Sequence, residues 1–580
     1  MNGGELLAEV IKKQGVEYIF TLCGGHIAPI LVGAKNQGLK VIDVRQEPTA
    51  VFAADATARL TGKPGVAVVT AGPGVTNSVT AIKNAQMAQS PLILIGGAVA
   101  TVLKGKGALQ DIEQIQLFNT LVKWSATIEQ DCDLIPIMEE AFDVAKSGIP
   151  GPVFIECPID LIYDEPLVRE WYGEKSGISK PEGLVDKVIK WYLRRHVDKL
   201  FACSPKSEEI SFLEGITPFQ IDDKHLDEVK EALYQCKKPV LLLGNQVMKR
   251  VEFVNQLSIA VEKMGIPTFL SGMARGLLGA NHSIYFRHKR SYALRNADLI
   301  ILAGIPLDFR LNYGRGLKKT AKLIKINRST ETIKKNKKPD MGIQSDPSTY
   351  LIELSKIVED GIISNWNEWN EQLRKLNEKR EEEIKEFTKV STDYINPLTL
   401  CERINANLNE KSIIIGDGGD FVATASYLVK PKDPLSWLDP GPYGTLGVGA
   451  GFAIAAKLSD PDSEVWLLYG DGAAGYSIIE FDTFVRHNLP VIAVVGNDAG
   501  WTQITRDQVE YLNDDVATVL RYNDYHVIAE GCGAKGLLLD NADNIDSVLQ
   551  EAKNLNKKGH PVLINSIIGK TDFRKGSISM

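Results

Sequence analysis

EVWLLYGDGAAGYSIIEFDTFVRHNLPVIAVVGNDAG, residues 464–500, decides the fold. It opens on an apolar run, Val465–Gly470, and turns at Gly470-Asp471-Gly472. A helix-spaced stretch then leads into a second apolar run, Val491–Gly496. Unbroken apolar strands separated by a helix belong to a parallel sheet covered on both faces, because such strands are buried on both sides. Each run ends in ligand-type residues: Gly470, Asp471 and Gly472 after the first, Asn497-Asp498-Ala499-Gly500 after the second. Ligands of open α/β sheets bind at the carboxyl ends of the strands. A carboxylate, an amide or second carboxylate, and a backbone carbonyl are hard oxygen donors, suited to Mg²⁺ or Ca²⁺ carrying a diphosphate. A lone GDG is an ordinary turn; the second acidic loop, one helix and one strand later, makes the pair a candidate site.

Outward from this stretch the same alternation recurs at Val66–Thr70, Leu92–Gly96, Val153–Glu156, Val240–Gly244, Leu299–Gly304, Leu323–Asn327, Ile413–Asp417 and Val562–Ser566. The pattern predicts an α/β protein of three doubly wound parallel-sheet domains. Two polar stretches interrupt it, which divides the chain into residues 1–165, a linker over 166–229, a central domain over 230–360, a charged helical linker over 361–395, a domain over 396–570 and a tail over 571–580. The chain length of 580 residues suits three or four domains. Within the first linker, Gly183–Ala202 places apolar residues opposite Lys187, Lys190, Arg194 and Arg195. Packing against the protein's own surface is the expectation for this helix, and membrane association through its basic face the less favoured alternative.

Composition narrows the classes. Hydrophobic residues at 44% and charged residues at 24% exclude wholesale disorder. A net charge of -7 provides no bulk attraction for nucleic acid, and none is expected as a partner. No apolar run approaches the ~18 residues of a membrane span. Seven cysteines (23, 132, 157, 203, 236, 401, 532) show no CxxC spacing and read as reduced, mostly buried thiols. The N-terminal stretch MNGGELLAEVIKKQGVEYIF reads as neither signal nor transit peptide, so a cytoplasmic protein is expected.

GDG followed at the right interval by an Asn-Asp pair resembles the thiamine-diphosphate fingerprint, and other blocks agree in order. Arg45-Gln46-Glu47 with the following TARLTGKPGVAVVTAGPGVTN resembles the pyrimidine-binding domain of the acetolactate synthase superfamily. Ile149–Val153 and Ile155–Pro158 resemble that domain's end, Lys238–Gly244 the start of its central domain, and Gly444–Gly449 the opening of its diphosphate-binding half. The resemblance covers nearly the whole chain. It implies thiamine diphosphate and Mg²⁺ as cofactors and a homodimer or homotetramer as the active form. Glu47 is implied as the carboxyl that activates the pyrimidine, although Gln46 stands where the family often has His. Gly24, Gly25 and His26 resemble the glycine loop facing the reaction centre, with His26 as a candidate acid/base. Gly72, Pro73, Gly74 and Asn77 are implied beside the pyrimidine; Gly444, Thr445, Leu446, Ala473, Ala474 and Trp501 about the rest of the cofactor, Leu446 as the wedge between its rings. Asp471, Asn497, Asp498 and Gly500 form the implied metal group, with Asp498 replacing the usual second Asn. Glu480 falls where relatives carry Glu. Gln110 and Lys123 align with residues that reach a neighbouring active site.

In the central domain, Gly304, Asp308 and Arg310 resemble the superfamily's G-x-x-x-D-x-R, and Arg275 is placed to pair with a phosphate. Relatives bind FAD or ADP here, or nothing, and Asn327 replaces a frequent ribose-binding acid; the sequence leaves the three open. The closest likeness is to the 2-hydroxyacyl-CoA lyases of the superfamily, carried by WLDPGPYGTLGVGAGFAIAAKL, GNDAGWTQITRDQV and TDFRKGSI. It implies cleavage of a 2-hydroxyacyl-CoA to formyl-CoA and an aldehyde shortened by one carbon. Acetolactate synthesis from 2-ketoacids is the alternative, and a non-catalytic regulatory partner the second; Glu47 and Asp471, both present, speak against the latter.

Overall fold

The computed structural model describes residues 1–174, 183–212, 219–359 and 362–576. The chain divides into two compact units, residues 1–217 and 218–580. Parts of the predicted linker (175–182, 213–218) and the last four residues of the predicted tail lie outside the described residues.

The first unit is built on six parallel strands: β1 Tyr18–Leu22, β2 Lys40–Asp43, β3 Gly65–Val69, β4 Leu92–Ala98, β5 Ser125–Thr127 and β6 Pro152–Pro158. They lie in the order β2-β1-β3-β4-β6-β5. Every residue of β3, β4 and β6 is buried, as their unbroken apolar sequences require. From β1 the chain crosses to β2 on one side and returns to β3 on the other. The carboxyl ends of β1 and β3 therefore flank a crevice, the topological switch point where such sheets bind ligands.

The second unit carries two more parallel sheets. One has β7 Pro239–Leu243, β8 Thr268–Leu270, β9 Leu299–Ala303, β10 Lys322–Asn327 and β11 Met341–Gln344, ordered β11-β10-β9-β7-β8. The other has β12 Ser412–Gly416, β13 Trp437–Leu438, β14 Glu464–Gly470, β15 Val491–Asn497, β16 Lys535–Leu539 and β17 Val562–Ile567, ordered β13-β12-β14-β15-β17-β16. Their switch points fall at β7/β9 and β12/β14. The sequence marks both with glycine, because two chain segments meet there backbone to backbone. A Cβ on Gly244 would lie 2.6 Å from the Gly304 carbonyl oxygen, and one on Gly470 2.8 Å from that of Gly418. The α/β architecture of three doubly wound sheets is as the sequence predicts.

Three features depart from the sequence reading. The stretch after Asp164, read as polar and irregular around one helix, also holds helices Glu165–Glu174 and Asp223–Gln235. The basic amphipathic segment is a helix, Leu184–Leu200, but its apolar stripe is largely uncovered. Leu184 (83%), Val185, Val188, Ile189, Trp191 (59%) and Tyr192 are exposed, and only Val197 and Leu200 are buried. The expected packing on the protein's own surface is confined to the helix's C-terminal end. Lastly, Cys132 and Cys203, expected to be reduced, form a disulfide across a separation of 71 residues. Asp131 holds the joint, its carboxylate accepting the N–H groups of Cys203 (3.1 Å) and Ser204 (2.8 Å). Among the described residues, no helix is long and apolar enough to cross a membrane.

Candidate active site

The first unit offers one half-site at the β1/β3 crevice. Glu47 begins the helix Glu47–Thr61, with Pro48 pre-setting the first turn. The side chain is buried, and Asn77 Nδ2 donates to its Oε2 at 3.0 Å. Gly74 must be small, since a Cβ there would press on Thr70 at 3.0 Å and stand 3.6 Å from Glu47 Oε1. Gly72 has φ 62° and ψ -106°, a conformation open to glycine alone, and Pro73 starts the short helix that carries Asn77.

A buried amide fixes this turn. Gln110 sits on the loop after β4 with φ 66°, its Cβ and carbonyl against Gly72. The bonding side chain is Gln114, fully buried, whose Oε1 accepts the Gly72 N–H at 2.9 Å. Its Nε2 donates to the Gly97 carbonyl and to Glu156, both at 3.1 Å. One side chain thus ties the ends of β3, β4 and β6 together. Lys123 stays away from the site: its Nζ donates to the carbonyls of Val144 (2.5 Å) and Ser147 (2.8 Å) at the end of helix Leu134–Lys146.

Gly24, Gly25 and His26 follow β1. A Cβ on Gly24 would stand 2.3 Å from that of Thr70, while Gly25 faces open space. His26 Nδ1 lies 3.3 Å from Thr70 Oγ1, and partial burial lowers its pKa below the usual imidazole value. It is therefore neutral near pH 7, the state in which an imidazole can accept a proton.

The second unit holds the other half-site, a cavity of about 250 Å³ at the β12/β14 crevice. Gly444, Leu446, Gly470, Asp471, Gly472, Ala473, Asp498, Gly500 and Trp501 all reach its wall, as the sequence places them. Asp471 is buried, and its carboxylate accepts the N–H groups of Gly472 (2.8 Å) and Gly500 (3.0 Å). Burial, and then the charge of Asp498, push its pKa up to about 7. Burial likewise raises Asp498 to about 6, against a lowering contribution from Lys570. Two buried carboxylates on one wall, the charge of one raising the other's charging cost, are donors of the kind a hard cation takes. The residues fit a diphosphate held through a divalent metal.

Asn497 stands behind this wall rather than on it. Its Nδ2 donates to the Asn523 carbonyl and to Asn565 Oδ1, both at 3.2 Å, and its Oδ1 accepts the Ala499 N–H. It shapes the loop that presents Asp498. Ala474 is buried in helix Asp471–Ser477, and Thr445 bonds the Leu446 carbonyl. Trp501 lies across Gly472, where a Cβ would meet its ring at 2.5 Å. Glu480 is fully buried rather than an exposed helix residue, and accepts from Thr483 Oγ1 at 2.5 Å.

Besides Gln114, two residues escaped the sequence reading. Asp417, at the end of β12, accepts the N–H groups of Gly447 (2.9 Å) and Gly449 (2.8 Å) and so fastens the loop carrying Leu446. Burial raises its pKa to about 7. The signal was available, since Gly416-Asp417-Gly418 is a second GDG after a strand. The other is Tyr525, whose hydroxyl donates to the Asp471 carbonyl at 3.0 Å.

Family comparisons agree with this geometry. Residues 1–117 match the N-terminal thiamine pyrophosphate binding domain of thiamine pyrophosphate enzymes, 226–354 the central domain and 417–566 the C-terminal binding domain. The chain belongs to the thiamine pyrophosphate enzymes. Among members of that family, 2-hydroxyacyl-CoA lyase 2 of Danio rerio is 47% identical over 586 residues, spanning 100% of this chain and 93% of its own. The Homo sapiens protein of that name is also 47% identical, over 100% of this chain and 92% of its own. A probable acetolactate synthase of Mycobacterium bovis is 32% identical over 86% of this chain and 84% of its own.

The central domain of this family member gathers Arg275, Arg287, Arg290 and Arg310 near one another. Arg275 Nη1 donates to the Ser426 carbonyl at 2.9 Å, its guanidinium lies 4.8 Å over the Trp437 ring, and its buried Nε has no partner among the described residues. Arg287 and Arg290 are held below the usual arginine pKa by burial, with Arg275 contributing to both. Arg310 and Asp308 pair with each other at 2.6 Å, and Gly304 (φ 66°) lets the loop turn beside Gln246. Asn327 Oδ1 accepts the Ser329 N–H at 2.9 Å, which keeps it within its own turn.

Proposed function

We propose that this enzyme cleaves 2-hydroxyacyl-CoA thioesters to formyl-CoA and an aldehyde one carbon shorter. The observation that carries this reading is identity of about 47% to 2-hydroxyacyl-CoA lyases along the whole chain, with both half-sites intact. When bound, thiamine diphosphate supplies a carbon nucleophile and an electron sink for the C–C scission. Asp471 and Asp498 would hold Mg²⁺ and, through it, the diphosphate, with the glycines of both GDG turns leaving room for the phosphates. Leu446, fastened through Asp417, would support the cofactor. Glu47, oriented by Asn77, holds a proton at the pyrimidine N1′. His26, neutral at pH 7, accepts the proton of the substrate's 2-hydroxyl as the aldehyde carbonyl forms.

Each half-site binds one end of the cofactor, and we propose that two copies of the chain, as a homodimer or half of a homotetramer, complete it. The clustering of Arg275, Arg287, Arg290 and Arg310, only the last of them in a direct ion pair among the described residues, supports a nucleotide diphosphate, that of ADP or FAD, as their ligand. The test is to supply 2-hydroxyacyl-CoAs of graded length alongside pyruvate and follow formyl-CoA, aldehyde and acetolactate together. Aldehyde and formyl-CoA in equal amounts is the expected result. Acetolactate with no aldehyde from any thioester would overturn the lyase reading in favour of acetolactate synthesis.

A further inference from the structure

A second cavity, of about 530 Å³, lies in the first unit and begins at His26. Its size falls within the ~300–1,000 Å³ of small-molecule sites. Val99, Ala100 and Leu103 line it from the loop after β4, Trp171 from helix Glu165–Glu174 and Leu193 from helix Leu184–Leu200. The lining is mostly apolar, and the two helices belong to the polar stretch that follows the six-stranded sheet. We propose that this cavity receives the acyl chain of the thioester substrate, so that the helix pair sets the chain length the enzyme accepts.

Position is the first argument. His26 and the end of β4 are in direct contact, since a Cβ on Gly97 would lie 2.6 Å from that of His26. A substrate whose 2-hydroxyl meets His26 has this cavity within reach of its third and later carbons, since His26 lines it. Construction is the second. Asp160 Oδ2 accepts from the Thr101 N–H (2.9 Å), Thr101 Oγ1 (2.6 Å) and the Tyr172 hydroxyl (2.6 Å). Thr101 Oγ1 also lies 2.7 Å from His196 Nε2. One buried carboxylate thereby joins the loop after β4 to helix Glu165–Glu174, and Thr101 adds the link to helix Leu184–Leu200. The disulfide Cys132–Cys203 secures the chain just beyond that second helix. The cavity is preformed, which spares the ligand the cost of ordering its walls.

This proposal rests on the lyase reading for its choice of ligand, and the experiment separates the two. Saturated acyl-CoAs of graded length, without the 2-hydroxyl and therefore not cleavable, are titrated into the full-length protein loaded with thiamine diphosphate and Mg²⁺. Burial at about 0.8 kcal/mol per methylene predicts roughly fourfold tighter binding for each added carbon until the cavity is full. Ala100→Phe, which fills the cavity, should stop that gain at a shorter chain and lower the long-to-short affinity ratio at least tenfold. Leu193→Ala, which widens it, should carry the gain to longer or branched chains. The same variants should move the chain-length profile of kcat/KM in the same directions. Affinity independent of chain length in the wild type, or one profile shared by all three proteins, would overturn the proposal. Chain-dependent binding that both variants shift, without cleavage of any 2-hydroxyacyl-CoA, would uphold the acyl subsite and overturn the lyase reading.

Discussion

Metal uptake at Asp471 and Asp498 should release protons, in an amount that falls steeply with pH. Without a metal the pair titrates with pKa values of about 7 and about 6, both raised by burial, Asp471 further by its neighbour's charge. A divalent cation requires both carboxylates ionised. From those values the metal-free pair carries about 1.4 protons at pH 6, about 0.6 at pH 7 and about 0.1 at pH 8, all displaced on binding. Mg²⁺ affinity should accordingly weaken by roughly 20-fold between pH 8 and pH 6. The sign follows from raised acid pKa values: the protonated, metal-refusing form gains population as pH falls through 7. Calorimetric titration with Mg²⁺ alone, in buffers of different ionisation enthalpy, measures both quantities; leaving out thiamine diphosphate ensures that no phosphate titrates. Proton release near zero at pH 6, or affinity that does not change with pH, would refute the assignment of these two carboxylates as the metal's ligands.

Glu47→Gln should keep the fold and the bond from Asn77 yet lose about 10²–10⁴ in kcat, the usual contribution of a proton-transferring group; deuterium exchange at C2 of the bound cofactor should be slowed in step. Gln114→Ala removes three hydrogen bonds from around Gly72 and should weaken thiamine diphosphate by about tenfold, read by equilibrium dialysis, with little change in chain-length preference. Cys132→Ser opens a closed loop of 71 residues' separation and should cost up to about 4 kcal/mol in urea unfolding, a difference that disappears when both proteins are measured with dithiothreitol.

The fold was legible because buried parallel strands write themselves as unbroken apolar runs, and each run quoted from the sequence lies in a strand of the right sheet. The cofactor half-sites were legible for a related reason. Close approach of two backbones demands glycine, so Gly72 and Gly470 mark the crevices directly. What escaped depends on partners far away in sequence. Gln114 and Gln110 are chemically alike, and only the packing of β3, β4 and β6 decides which amide reaches Gly72. The amide nitrogen of Asn497 donates to Asn523 and Asn565, partners that no local pattern announces. The disulfide left no spacing signature, and the helix Leu184–Leu200 showed an apolar stripe without showing what would cover it.

The disulfide also imposes an order of events during synthesis. Cys157 emerges between Cys132 and Cys203 and is the nearest competitor for Cys132. At roughly 5–20 residues per second, the 71 residues from Cys132 to Cys203 take about 4–14 s to appear. Cys157 lies in β6, which pairs with β4, a strand already made by then. Once that pairing forms, the Cys157 thiol is fully buried, and burial beside Glu156 drives its pKa upward, away from the reactive thiolate. Once in place, the strand that completes the first unit's sheet withdraws Cys157 from competition with Cys203 for Cys132.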